Sequence, residues 1–142
     1  MTKKEIKSKQ QSDDRLREFL DTNKVILNIS GLEKKFGFSK GALDRLKSHD
    51  SSIRKRYAIV RLSNFLVVEG YEYKNQLNKQ LRVISFIQDN KDILNISGIE
   101  RTVSIPSGTL HKILNIKSRK LRIENIKNID SLILKSLNVI SK

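Results

Sequence analysis

The chain repeats itself at an offset of 67 residues, and this repeat limits what it can fold into. The letters Ile-Leu-Asn-Ile-Ser-Gly occur at 26–31 and again at 93–98, each time followed by a branched apolar residue and a glutamate. Apolar positions before and after these letters coincide at the same offset without a gap. A match that continues where identities fade indicates a repeated fold, so we expect two similar units.

The repeat also predicts the domain organisation. A chain of 142 residues is long enough for two small domains. We place the first unit at 13–71, a junction at 72–76 and the second unit at 77–140. Residues 1–12 are rich in lysine and are expected to form a basic N-terminal arm. Because small domains bury a small fraction of their surface, packing of the units on each other or on a partner would add stability.

Each unit is predicted to be all-α, with about four helices. The helical spacing i, i+3, i+4 marks a first and a last helix in the first unit, at Leu16, Phe19 and Leu20 and at Ile59, Leu62, Phe65 and Leu66. No stretch alternates strictly between apolar and polar residues, so strands are not expected. The fold class is therefore all-α, in two tandem units.

Capping signals predict a short second helix in each unit. Ser30 and Ser97 are each followed three residues later by a glutamate, Glu33 or Glu100, and this spacing is typical of a capping box. The second helices should therefore cover about 31–36 and 98–103. Gly37 tolerates the left-handed turn that ends a helix.

A third helix is predicted after each turn, at about 40–47 and 107–115. Phe38 should enter the core, and Ser39 should cap the third helix of the first unit. In the second unit Ser104 and Ile105 take the same places, and Pro106 is tolerated in the first turn of a helix.

A helix, a tight turn and a second helix make up the helix-turn-helix arrangement. On the following positions the sequence resembles the phage-repressor (Cro and repressor-like) helix-turn-helix family: Leu32, Phe36, Gly37, Phe38, Leu43 and Leu46, and in the second unit Ile99, Val103, Ser104, Ile105, Leu110 and Ile113. Two departures stand out. Glu33 and Glu100 occupy a place where that family usually has a small residue. Ser104 replaces the turn glycine, so the second turn must be reached either differently or with some strain.

The net charge points to a polyanionic partner. The chain carries a net charge of +14 and has a sequence pI of about 10.1. Each half has seven more basic than acidic residues, so the excess does not come from a single tail. This charge is larger than solubility requires, and a cationic surface on both halves is typical of nucleic-acid binding.

Other functions are disfavoured by what the sequence lacks. There is no cysteine, and two histidines alone do not make a structural zinc site, so no metal and no cofactor are expected. His49 and Asp50 have no third catalytic partner at a recognisable spacing, so we do not expect an enzyme. No run of apolar residues is long enough for a membrane, and we expect a cytoplasmic protein.

The resemblance implies that the third helices contact DNA bases. The residues expected to bind DNA in this way are Ser39, Lys40, Gly41, Ala42, Asp44, Arg45 and Lys47 in the first unit, and Ser107, Gly108, Thr109, His111, Lys112 and Asn115 in the second. Lys40 and Arg45 can donate to guanine or to phosphates. Three alternatives remain open at this point. Gly41 and Gly108 either allow close approach to DNA or relieve crowding against the second helix. Asp44 either accepts from a cytosine or pairs with a lysine, and His111 either reads DNA or is inert.

Basic residues after each third helix are expected to bind the phosphate backbone. They are Arg54, Lys55 and Arg56 in the first unit and Lys117, Arg119, Lys120 and Arg122 in the second. Cations at the start of a helix oppose its dipole, and phosphate would offset that cost. The basic arm either follows a DNA groove or has no fixed structure.

The sequence therefore predicts a protein that binds double-stranded DNA and regulates transcription in a phage or mobile element. The main alternative is a structural or adaptor protein of a phage particle or mobile element, because a fold does not determine a function. Its docking surfaces would be Tyr71 and Tyr73 and the apolar end of the last helix, at Leu132, Ile133, Leu137 and Ile140. RNA binding ranks third because aromatic platforms for stacking are scarce. The oligomeric state and the target sequence stay open.

Overall fold

The computed structural model describes residues 14–47, 56–115 and 121–141, and the chain is helical throughout these ranges apart from turns and one isolated β-bridge. Eight helices follow one another: α1 (14–22), α2 (Ile29–Phe36), α3 (Ala42–Lys47), α4 (Arg56–Asn75), α5 (Lys79–Asp89), α6 (Ile96–Thr102), α7 (Thr109–Asn115) and α8 (Ile123–Ser141). The predicted all-α class is confirmed.

Asparagines, and not serines, start the second helix of each half. The Asn28 side chain accepts a hydrogen bond from the Gly31 N–H at 3.1 Å, and the Asn95 side chain accepts one from the Gly98 N–H at 3.0 Å. Both asparagines have the extended backbone that is typical of an N-cap. Ser30 and Ser97 lie one residue inside their helices, so the predicted capping boxes are wrong.

The two halves meet through an exchange of backbone hydrogen bonds. The Asn28 N–H donates to the Ile93 carbonyl, and the Asn95 N–H donates to the Ile26 carbonyl, both at 2.8 Å. Between these bonds, Leu27 and Leu94 form an antiparallel bridge. The offset of 67 residues relates the members of each pair: 26 and 93, 27 and 94, and 28 and 95. The contact between the halves is therefore reciprocal.

Glycine is required beside this junction. A Cβ atom at Gly31 would lie 2.0 Å from the Asp92 carbonyl oxygen, and one at Gly98 would lie 1.9 Å from the Val25 carbonyl oxygen. These neighbours are backbone atoms, which cannot turn aside as a side chain can. The glycine of the repeated Asn-Ile-Ser-Gly letters therefore lets the two backbones approach.

Buried asparagines at the ends of α1 and α5 reach the last helix of the opposite half. The Ser136 hydroxyl donates to Asn23 Oδ1 at 2.6 Å, and Asn90 Nδ2 donates to Glu69 Oε2 at 3.3 Å. In addition, α8 packs against both α4 and α5. The buried apolar side chains of both halves form one hydrophobic core.

This shared core takes up most of the surface suggested above for protein docking. Ile133, Leu137 and Ile140 are buried, Leu132 is half-buried and Tyr73 is buried, so their predicted exposure is wrong. Tyr71 alone of that set is exposed. The predicted junction 72–76 is largely helical, because α4 continues to Asn75.

A buried polar cluster joins α4, α5 and α8. Arg82 donates to both carboxylate oxygens of Asp130, each at 2.7 Å, and the Tyr73 hydroxyl donates to Asp130 Oδ1 at 2.6 Å. Burial by itself would raise the pKa of Asp130, but the hydrogen bonds from Arg82 and Tyr73 lower it below its usual value. The pKa of Tyr73 is raised, first by burial and then by Asp130. The carboxylate is thus held ionised between two donors.

Candidate nucleic-acid interface

The turn between α2 and α3 depends on one left-handed residue. Gly37 ends α2 with φ of 77° and ψ of 25°, and Phe38 is buried behind it, as predicted. Ser104 stands at the equivalent position of the second half with φ of 60°, the one positive value among the described residues that are not glycine. A side chain in this region costs free energy, so of the two expectations for the second turn the one with some strain applies.

A buried glutamate connects the second helix to the third in each half. Glu33 accepts a hydrogen bond from the Leu43 N–H at 3.0 Å. Glu100 accepts from the Leu110 N–H at 2.9 Å and from the Gly108 N–H at 3.2 Å. The glutamates are only 6% and 1% exposed. They satisfy free N–H groups at the start of α3 and α7, where a negative charge also complements the helix dipole. The predicted role, reaching back to a serine cap, is wrong.

Gly41 and Gly108 precede the third helices with φ of 83° and 88°. Among the described atoms, nothing lies within 4 Å of a Cβ placed at Gly108, and the nearest atom to one at Gly41 is Arg45 Nη1 at 3.5 Å. The alternative that these glycines relieve crowding against the second helix is therefore wrong. Their backbone conformation requires glycine instead.

In the first half, α3 buries one side and exposes the other. Leu43 and Leu46 pack in the core, and so does Ala42, which is 3% exposed, so its predicted place among the exposed residues is wrong. The exposed side chains described at this helix are Ser39, Lys40, Asp44 and Arg45. Ser39 does not cap α3, which begins three residues later; its hydroxyl accepts a hydrogen bond from Arg45 at 3.3 Å.

In the second half, α7 has the same division with different residues. Leu110 and Ile113 are buried, while Ser107, His111, Lys112 and Asn115 are exposed. Thr109 is half-buried and its hydroxyl donates to the Pro106 carbonyl at 2.7 Å. Pro106 lies before the helix and not in its first turn, because α7 begins at Thr109.

The predicted phosphate contacts fall mostly outside the described residues. Arg122 is exposed directly before α8. Lys47 and Arg56 lie on α3 and α4 by backbone position, but their side chains are not described. The arm 1–12, the pair His49 and Asp50, and the basic residues Arg54, Lys55, Lys117, Arg119 and Lys120 lie outside the described ranges.

The structure adds a cleft that sequence reasoning missed. His111 lines it together with Lys91 and with the first residues of both α2 and α6, including Ser30 and Ser97. The cleft therefore brings the exposed Ser30 and Ser97 beside α7, one of the third helices. In the sequence, the repeated Asn-Ile-Ser-Gly letters are the signal for this cleft.

Within the described ranges no group of three or more His, Asp or Glu side chains is arranged to hold a metal ion. None of the described helices combines the length and apolarity needed to cross a bilayer. Comparison of the chain with protein-family models, with curated proteins and with solved structures gave no match.

Proposed function

We propose that the chain binds double-stranded DNA through two helix-turn-helix units, α2–α3 and α6–α7, with the exposed sides of α3 and α7 entering the major groove. One observation carries this proposal. Both helices are anchored by a buried glutamate and an apolar side, and both leave a side of charged and hydrogen-bonding groups exposed. Such an amphipathic, fixed helix is suited to insertion into a groove.

The relation between the halves supports two inverted half-sites on the DNA. Contacts in which Asn28 reaches Ile93 and Asn95 reaches Ile26 are reciprocal, as they are across a two-fold axis. Two units strung along DNA by translation would not exchange contacts in this way. A two-fold rotation places α3 and α7 at the same height along its axis. One chain would therefore present both helices, which we call its two readers, to one side of the duplex.

The two readers would recognise different bases. Lys40 and Arg45 suit guanine O6 and N7, or phosphates, and Asp44 can accept from a cytosine amine. In the second half Asn115 suits adenine, while Ser107 and Lys112 can bind bases or phosphates. The target would therefore be an imperfect palindrome. Reading of such a site is suited to a transcriptional regulator of a phage or mobile element.

Titration of labelled duplex DNA, single-stranded DNA and RNA of equal length tests the proposal. We expect preference for duplex, and a loss of affinity of roughly a thousandfold between about 50 and 200 mM salt if six or more phosphates are neutralised. Lys40→Ala with Arg45→Ala should weaken duplex binding. Lys74→Ala with Lys135→Ala removes the same charge from exposed positions on α4 and α8 and should have a smaller effect. Equal affinity for all three nucleic acids, or none at low salt, would contradict the proposal.

A further inference from the structure

The outer side of α4 carries an apolar stripe that the described residues leave uncovered. Its members share one face of the helix, at spacings of three and four residues, and we call them the α4 stripe: Tyr57, Val60, Asn64, Val67, Val68 and Tyr71. All six are exposed, and the five apolar ones keep between 45% and 70% of their surface accessible. Contiguous exposed apolar surface of this kind marks an interaction site.

The equivalent side of α8 shows that the fold does not require this stripe. Shifted by 67 residues, the same positions hold Glu124, Lys127, Ser131, Leu134, Lys135 and Asn138. Leu134 is half-buried there and the other five are exposed polar residues. The two helices occupy equivalent places in the repeat, so the fold of the described residues does not by itself require an apolar α4 stripe.

Two pairs of the α4 stripe are symmetric about Asn64, while Val67 has Arg61 at its mirror position. Tyrosines lie seven residues before and after Asn64, at 57 and 71, and valines lie four residues before and after it, at 60 and 68. A surface that is symmetric in this way is complementary to a second copy of itself turned around, as in a two-fold dimer where residue i contacts j and j contacts i. A single polar asparagine at the centre of an apolar seam is a known means of setting the register of paired helices.

Charge and area set the strength of such pairing. The stripe is about 21 Å long at 1.5 Å per residue, and one helix face of this length is smaller than the roughly 800 Å² per partner of a stable complex. Two chains of charge +14 also repel each other. The pairing should therefore be weak and should strengthen when salt or DNA neutralises the charge.

We propose that two copies of the chain pair through antiparallel contact of their α4 stripes, with Tyr57 against Tyr71, Val60 against Val68 and Asn64 against Asn64. This pairing is independent of DNA binding by α3 and α7. If the chain also binds DNA, the dimer carries four readers.

Sedimentation of the full chain at moderate salt, from low to high micromolar concentration, tests the pairing. We expect the mass to rise with concentration from 16.4 kDa towards twice that value. Val60→Glu alone, or Val68→Lys alone, should weaken association by at least about 100-fold, because each places an unpaired charge in the seam. The double variant, Val60→Glu with Val68→Lys, should regain association, because each glutamate then faces a lysine of the other copy.

Asn138→Glu serves as the control, since it adds a charge at the α8 position equivalent to Tyr71 and should leave association unchanged. Circular dichroism verifies that the variants remain folded. A chain that stays monomeric at every concentration would overturn the proposal. So would association that survives either single variant, or a double variant that fails to associate.

Discussion

The two halves of the molecule share the contact that anchors each third helix and differ on the exposed sides of these helices. Glu33 and Glu100 are both buried and both bind the start of a third helix. In contrast, exposed Asp44 of α3 is replaced by His111 in α7. The anchor of the third helix is thus the same in both halves, while the side chains on its outer side differ. Under the proposed function, these different side chains would make the two DNA half-sites differ in base sequence.

The interiors of the two halves also differ, most clearly at Asp130. Asp130 accepts hydrogen bonds from Tyr73 and Arg82, but its equivalent in the first half is Ser63. The Ser63 hydroxyl is buried and has no hydrogen-bond partner among the described residues. The polar cluster therefore stabilises one side of the two-fold arrangement and has no counterpart on the other.

The largest effect is expected at the junction of the halves. Gly31→Ala should cost about 4 kcal/mol or more in the free energy of unfolding, because the added Cβ overlaps a backbone oxygen. Gly98→Ala should cost the same, since its position is equivalent. Urea unfolding measures both values. Ser30→Ala and Ser97→Ala should change the free energy of unfolding little. A loss of about 1 kcal/mol in either variant would instead show that the serine caps its helix.

Asp130→Asn should cost about 3 kcal/mol, because it leaves Arg82 without its buried partner. In the wild type the lowered pKa of Asp130 stabilises the fold above its unfolded value of about 3.9. That stabilisation is lost as the pH falls through the lower folded value. The variant should therefore lose less stability than wild type between neutral and strongly acidic pH in urea unfolding.

A matched control for this pH dependence is Asp14→Asn, which breaks an exposed ion pair with Arg17. We expect it to change the unfolding free energy by less than about 1 kcal/mol. Equal losses for Asp14→Asn and Asp130→Asn would contradict a special role for the buried cluster.

The glutamates that anchor the third helices should have the next largest effect. Glu33→Ala and Glu100→Ala should each cost about 2 kcal/mol, because buried N–H groups lose their acceptor. Glu100→Ala should cost more, since this carboxylate accepts from two N–H groups. Faster amide exchange at Leu43 and at Leu110 would locate the effect. Glutamine at either position keeps an acceptor oxygen, so it should lower the free energy of unfolding less than alanine does. Equal losses for glutamine and alanine would contradict the proposed anchoring.

The turns should show the smallest effect, with opposite signs in the two halves. Ser104→Gly should stabilise the protein by about 1 kcal/mol, because glycine adopts the left-handed conformation without strain. Gly37→Ala should destabilise it by a similar amount. Thermal unfolding of both variants provides the comparison, and a destabilised Ser104→Gly would show that the serine side chain has a compensating contact.

Much of the fold could be predicted from the sequence because helical spacing is local. Ile59, Leu62 and Leu66 predicted a helix face that is buried, and Gly37 with Phe38 predicted the first turn. The contacts between the halves could not be predicted, because apolar spacing does not reveal which unit a buried residue touches. Ile133 and Leu137 looked like a free surface for that reason.

The candidate site was predicted in part, for a similar reason. Lys40, Arg45 and His111 were expected to be exposed and are exposed. Ala42 is buried because it lies four residues before Leu46 and shares the buried side of α3. The anchoring role of Glu33 was missed because its partner lies ten residues away, beyond the reach of any capping rule.

Selection of bound duplexes from a random pool tests whether α3 and α7 read DNA. We expect two unlike half-motifs in inverted orientation. Lys40→Ala with Arg45→Ala should alter one half-motif, and Ser107→Ala with His111→Ala should alter the other. A pool without any enriched motif, or one in which neither variant changes the selected bases, would contradict the claim that α3 and α7 read DNA.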